Sequence, residues 1–253
     1  MAGDPFFNKV SLLLPMTGSN GSTTFTDQSP STKTMTASGN ARISTTLEAG
    51  GNGYFDGTGD YISSPFNTAY RIEGDFTVEA YCYFSVDTGT SQVIAAFTSV
   101  TSTAATSQWL FYYNDTLTKL GFDFRCSDDS YEAHQATTNL DLATFYHLAG
   151  VRVGSDVLLF ANGTLLATIA QTKTISTPTS GVFSVGAYNT TSPIGFLNGY
   201  VKGLRITKGA ARYTADFTPP DLPLPTYQEP RANELYAVQR PILQAFNPTI
   251  FNG

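Results

Sequence analysis

The stretch Val185–Pro220 reads VGAYNTTSPIGFLNGYVKGLRITKGAARYTADFTPP. Its apolar start, its Asn- and Thr-rich middle and its alternating second half spell a strand, a loop and a second strand around Gly199–Ile206. Pro219 and Pro220 then end the segment, because proline brings no N–H to a sheet ladder. Upstream, Asp75–Phe84 (DFTVEAYCYF) alternates with period two. Phe76, Val78, Ala80, Cys82 and Phe84 share one face and Thr77, Glu79, Tyr81 and Tyr83 the other, which predicts a strand with one side in a core. Val157–Ala161 and Thr164–Ile169 flank Asn162-Gly163, a pair that accepts the positive φ angles of a type I′ hairpin. Trp109–Tyr113 and Leu117–Phe124 flank Asn114-Asp115 in the same way. Tyr54-Phe55 and Tyr61-Ile62 flank a Gly-rich corner, Asp56–Asp60. Strands at this spacing, with no helical period between them, predict an all-β sandwich or jelly roll.

Composition agrees. The chain has 253 residues, 41% of them hydrophobic and 13% aromatic, enough for one large domain with an ample core. Only 13% are charged, so Thr, Ser, Gly and Asn fill the polar positions of strands and turns. The net charge of −6 argues against a nucleic-acid partner, which needs clustered Lys and Arg. Val10–Pro15 is too short to insert in a membrane and lacks a signal-peptide flank, so it reads as the first strand and no targeting segment is expected. Asn20, Asn114, Asn162 and Asn189 head Asn-x-Ser/Thr triplets, which read as turn chemistry. Cys82 belongs to the core face of its strand and Cys126 precedes the acidic loop Ser127-Asp128-Asp129. Two free thiols are the favoured reading; a bridge between them is the alternative.

The ending Arg205-Ile206-Thr207-Lys208-Gly209, Ala211-Arg212-Tyr213-Thr214 and Phe217-Thr218-Pro219-Pro220 resembles the last strand and closing turn of the laminin-G-like, concanavalin A-type jelly rolls of tailed-bacteriophage proteins. Asp4–Leu14 with Asn20–Asp27, Phe55–Tyr61, Phe76–Ala80 and Phe145–Arg152 are similar to earlier elements of that family, in the same order. The resemblance covers most of residues 4–220. It implies two antiparallel sheets packed face to face, and binding of glycan or protein more often than catalysis. Relatives often carry an acidic pair where this chain has Lys202 and Gly203, and the Asp can help hold a structural calcium. An ammonium supplies no oxygen ligand, so Lys202 disfavours calcium and no cofactor is expected. Asp56 and Asp60, with Asp128 and Asp129, are the remaining oxygen donors.

Some jelly rolls of this type are glucanases, which set carboxylates at alternating positions of one strand. The nearest pattern, Glu73-Gly74-Asp75-Phe76-Thr77-Val78-Glu79, places its third carboxylate one residue late. His134 and His147 form neither a metal pair nor a triad, and no phosphate-cradling loop leads into a helix. The sequence therefore reads as a non-enzyme. For glycans, the candidate groups are Trp109, Tyr112, Tyr113 and Tyr131, with Asn114, Asp128 and Asp129; strand alternation sends some of those rings into the core.

The composition changes after Pro219. Residues 1–219 read as the jelly roll, and residues 220–253 as a Pro-rich linker and an apolar arm. The linker, Pro219–Pro225, is expected to run extended over the surface. The arm carries Leu235, Tyr236, Val238, Ile242, Leu243, Phe246, Ile250 and Phe251, too apolar for an ordinary disordered terminus, and is expected to dock on its own domain or a neighbouring subunit. Together with the resemblance this predicts a virion structural protein, made in the host cytoplasm and displayed on capsid or tail. Its partners would be other virion proteins and copies of itself. The alternative is a receptor-binding module that adsorbs to host surface glycans.

Overall fold

The computed structural model describes residues 3–98 and 107–228. The apolar arm residues from Leu235 to Phe251 lie outside the described residues. The described chain is almost entirely β. In chain order the strands are β1 (Val10–Leu14), β2 (Thr36–Ser38), β3 (Arg42–Ser44), β4 (Asn52–Asp56) and β5 (Tyr61–Pro65). Next come β6 (Phe76–Phe84), β7 (Ser91–Thr98), β8 (Ser107–Asn114), β9 (Lys119–Arg125), β10 (Tyr131–Glu132) and β11 (Gln135–Thr137). Then follow β12 (Phe145–Val153), β13 (Asp156–Ala161), β14 (Thr164–Ala170), β15 (Val182–Val185) and β16 (Asn198–Lys208).

They form two antiparallel sheets of eight strands. The first runs β14-β13-β12-β6-β16-β4-β3, with β1 also on β16; the second runs β10-β9-β8-β7-β15-β5-β2, with β11 also on β9. Along β16, Asn198–Val201 pair with β4 and Leu204–Thr207 with β1, so two short strands share one edge. A register shift between Lys202 and Arg205 marks the changeover. The Asn162-Gly163 turn closes the β13–β14 hairpin with φ of 48° and 79°, as a type I′ turn requires. The Gly-rich corner behaves differently from a hairpin: it carries the chain from β4 in one sheet to β5 in the other.

The core lies between the sheets. Phe76, Val78, Ala80, Cys82 and Phe84 of β6 face Trp109, Phe111, Phe122, Phe124 and Phe183. Phe76 and Trp109 both set ring edges against Phe122, at centroid distances of 5.7 and 5.9 Å. Cys82 and Cys126 are both buried and both free.

The outer face of the first sheet is buried as well. Glu79, on the polar side of β6, is 1% exposed. Its Oε1 accepts from Arg205 Nε at 2.8 Å, and its Oε2 from the Tyr213 hydroxyl at 2.7 Å. His147 Nε2 lies 2.9 Å from that same Oε2 and must donate, because an ionised carboxylate only accepts. Asp4 completes the cluster, taking Arg205 Nη1 at 3.0 Å and a two-pronged contact from Arg212 at 2.9 and 2.7 Å. Tyr213 stacks on Phe217 at 3.5 Å and 3° and seals the cluster from water. Burial alone would push the Glu79 carboxyl up; the Arg205 charge, the His147 hydrogen bond and Arg212 outweigh it and hold it well below the usual range. The chain then runs on across the same face, where the Tyr81 hydroxyl donates to Pro220 O at 2.6 Å and Leu224 packs against Val10 and Leu13.

Removing Arg205 leaves two buried carboxylates short of a counter-charge, so Arg205→Met is expected to cost about 3–5 kcal/mol in urea denaturation. The Glu79 contribution is complete above its free value of 4.5 and fades as pH falls towards its depressed folded value. Wild-type stability should accordingly drop on acidification below about pH 4, and Arg205→Met should flatten that drop.

Candidate functional site

With the outer face of the first sheet sealed, the outer face of the second is where aromatic and polar groups meet solvent. Alternation along β8 divides the candidates. Trp109, Phe111 and Tyr113 point between the sheets; Leu110, Tyr112 and Asn114 point outward. Trp109 is fully buried, with its Nε1 donating to Tyr70 O at 2.8 Å. Tyr113 is buried against Phe84, centroids 5.1 Å apart. Neither ring has a face to offer a sugar, so both leave the glycan set; Trp109→Ala would hollow the core at a cost of about 3–5 kcal/mol.

Tyr112 lies on the outer face, flat across Gly121, where an added Cβ would sit 2.3 Å from the ring. Its hydroxyl joins two side chains: Gln135 Nε2 donates to it at 2.6 Å, and it donates to Asp123 Oδ2 at 2.9 Å. Asp123 Oδ1 accepts from His134 N at 3.1 Å. Burial pushes the Asp123 carboxyl up to about 6, and its hydrogen bonds only partly offset that rise. Leu110, across from Asp123 in register, is half-buried, and Asn114 Nδ2 reaches Ser91 Oγ at 3.0 Å. Tyr131, beside Arg125 on the neighbouring strand, is 44% exposed. One exposed ring, two amides, a phenol and a carboxylate thus converge on one face.

Asp128 and Asp129 sit at its edge, in the turn after β9. Asp128 Oδ1 takes the Ser130 amide and hydroxyl, and its Oδ2 pairs with Lys173 at 2.9 Å. Asp129 pairs with Arg125 at 3.1 Å. Both brace a seam between the sheets, where Ser127 N donates to Thr174 O and Ser176 N to Arg125 O, each at 2.8 Å, and Glu132 accepts Thr172 N at 3.1 Å. The residues that the sequence reading missed are Leu110, Asp123 and Gln135. The alternation Leu120-Gly121-Phe122-Asp123-Phe124 was the available signal, since it turns Asp123 away from the phenylalanines.

The other sequence candidates are committed elsewhere. Asp60 is fully buried, accepting from Asn40 N and, at 2.9 Å, from Asp56 N; Asp56 accepts from Thr58 N at 2.8 Å. Both carboxylates stiffen the corner between β4 and β5. Lys202 pairs with Glu48 and rests 4.0 Å over the Phe145 ring, and neither aspartate is among its contacts. Among the described residues no group of three or more His, Cys, Asp or Glu side chains is gathered as a metal site needs. Glu73 pairs with Arg71 at 2.8 Å, Asp75 accepts from Gly154 N at 2.8 Å, and Glu79 is sealed, so these three carboxylates share no cleft.

Residues 56–212, well over half of the chain, match the family described as the concanavalin A-like lectin/glucanases superfamily. The chain belongs to that superfamily. No curated protein sequence matches it. Among solved structures, the binding domain of Paraclostridial Mosquitocidal Protein 1 is similar, with a TM-score of 0.61 at 11% identity over 82% of this chain and 50% of that one. The botulinum neurotoxin serotype G binding domain gives 0.59 at 9% over 94% and 51%. A botulinum neurotoxin type C structure gives 0.56 at 12% over 80% and 48%. At such identities the likeness is one of fold, and the chain spans about half the length of these structures, which are toxin binding domains and not bacteriophage proteins.

The superfamily scaffold leaves Asp123 with a folded-state value above its free value of 3.8, so ionising it opposes folding. The penalty is absent below the free value, grows as pH rises and is complete above about 6. Asp123→Asn removes it. The stability of the variant relative to wild type should therefore improve by about 1–3 kcal/mol between pH 4 and pH 7. The pH dependence is the readout, because the amide also changes one hydrogen bond at every pH.

Proposed function

We propose that this chain is a non-catalytic saccharide-recognition domain displayed on a bacteriophage particle, where it adsorbs to host surface glycans. The observation that carries the saccharide reading is the outward face of β8–β11. There an exposed Tyr131 stands beside Asn114, Gln135, the Tyr112 hydroxyl and Asp123, a ring face with fixed donors and acceptors of the kind sugars use. Cell entry of botulinum neurotoxin type C, a fold relative, depends on interaction with two ganglioside molecules, which supports binding as the use of this scaffold. Non-catalysis is supported by the count of carboxylates. Asp123 is the one acidic residue facing outward from β7–β11, and glycoside hydrolysis needs two.

Display on a particle is supported by the family-like ending and by the tail. Residues 220–228 are laid along the first sheet, with Asp4 N donating to Tyr227 O at 3.0 Å, and residues 229–253 continue past that anchor with eight large apolar side chains. In this reading the tail docks on other virion proteins or on copies of the chain.

Two experiments test it. Tyr131→Ala should weaken binding to host polysaccharide by about tenfold while the melting temperature stays within a degree or two, as expected at an exposed site; a flat glycan screen on folded wild-type protein refutes the saccharide reading. Deleting residues 229–253 should abolish incorporation into particles and leave the domain folded. Normal occupancy of the deleted form refutes tail-mediated display.

A further inference from the structure

A cleft of about 370 Å³ opens between Glu73-Gly74, Arg152 at the end of β12 and the segment 171–177. Its walls hold two groups that nothing described above uses. Gln171 is 4% exposed; its Nε2 donates to Lys173 O at 2.7 Å, yet its Oε1 has no partner. A buried amide carbonyl in that state is unfavourable until a donor reaches it. Arg152 spends Nε on Gly154 O at 3.1 Å, and its two terminal nitrogens have no partner among the described residues. The other charges of the cleft are occupied, Glu73 by Arg71 at 2.8 Å and Lys173 by Asp128 at 2.9 Å.

The complement of this arrangement is a small molecule with one carboxylate and a hydroxyl. The guanidinium fork matches a carboxylate in two-pronged fashion, the Gln171 oxygen takes a hydroxyl proton, and a volume within the usual ~300–1,000 Å³ of small-ligand sites admits a sugar ring. We propose that this cleft binds an acidic sugar residue of the hexuronate class, carboxylate on Arg152 and a ring hydroxyl donating to Gln171 Oε1. The inference rests on the saccharide-binding reading and adds a second, charge-selective subsite to the β8–β11 face.

The test is an NMR titration of the full chain with sodium glucuronate, glucose and sodium acetate in parallel. Glucuronate is expected to shift the amides of Gly74, Thr172, Lys173 and Thr174 saturably, with glucose and acetate far weaker. Arg152→Gln should weaken glucuronate by about tenfold, and Arg152→Lys, which keeps the charge and loses the fork, by less. Added salt should weaken it too, whereas Tyr131→Ala should leave it unchanged. Acetate or glucose binding as well as glucuronate, or cleft amides that never move at high glucuronate, overturns the proposal. Cleft binding of glucuronate with no neutral glycan on the β8–β11 face overturns the function reading and keeps this one; the reverse pattern overturns this one alone.

Discussion

The ion pair between Glu79 and Arg205 is the contact on which the rest of the molecule depends. The two residues oppose each other in the central strands β6 and β16 on the side away from the core, with N–O distances of 2.8 Å. A carboxylate and a guanidinium in that place must be desolvated together or left to water. The chain takes the first course by folding its own ending over them. Arg212 and Tyr213 bring further hydrogen bonds, Phe217 lies on Tyr213, and Asp4 draws the N-terminal segment onto the same face. The stretch that most resembles a family signature is thus a structural device. Arg205, Arg212 and Tyr213 are there to satisfy one buried acid, and no ligand is needed to explain them.

That device also divides the labour between the sheets. Antiparallel sheets commonly leave one face in water. Here the first sheet is covered on both, so Thr77, Glu79 and Thr207 are as buried as their apolar neighbours. Recognition is left to the second sheet and to the seam where the two sheets meet at residues 125–132 and 171–177. The positions proposed for saccharides fall in those two regions because the covered face has no room for a partner.

What could be read from the sequence follows the range of the interaction. The alternation of Phe76–Phe84 and the Asn162-Gly163 turn depend on neighbours in the chain, and both were legible. Trp109 and Tyr113 share a parity along β8, and Tyr112 and Asn114 the other, so the same rule separates core rings from outward ones once the strand is fixed. Glu79 was legible only as a carboxylate on the polar side of a strand. Its partners lie up to 134 residues away, and nothing local announces them. The same holds for Gln171 and Arg152, ordinary polar residues whose meaning comes from a cleft built by three distant segments. Asp56 and Asp60 looked like oxygen donors for an ion and proved to be turn braces, since backbone N–H groups from Asn40 to Thr58 lie closer than any ligand set.

Glu79 and Asp123 are both buried carboxylates, and their difference explains which one suits recognition. Glu79 is enclosed by cations, so its charge is met within the fold and has no use for a visitor. Asp123 is met by neutral donors alone, the Tyr112 hydroxyl and the His134 amide, and burial pushes its carboxyl up. A carboxylate has about four acceptor positions, of which the protein fills two. A ligand hydroxyl donated to either of the others stabilises the ionised form and relieves the strain of burying it. The same reasoning applies to the bare carbonyl of Gln171: polar groups that the fold buries without fully satisfying are the ones a polyhydroxylated ligand is equipped to complete.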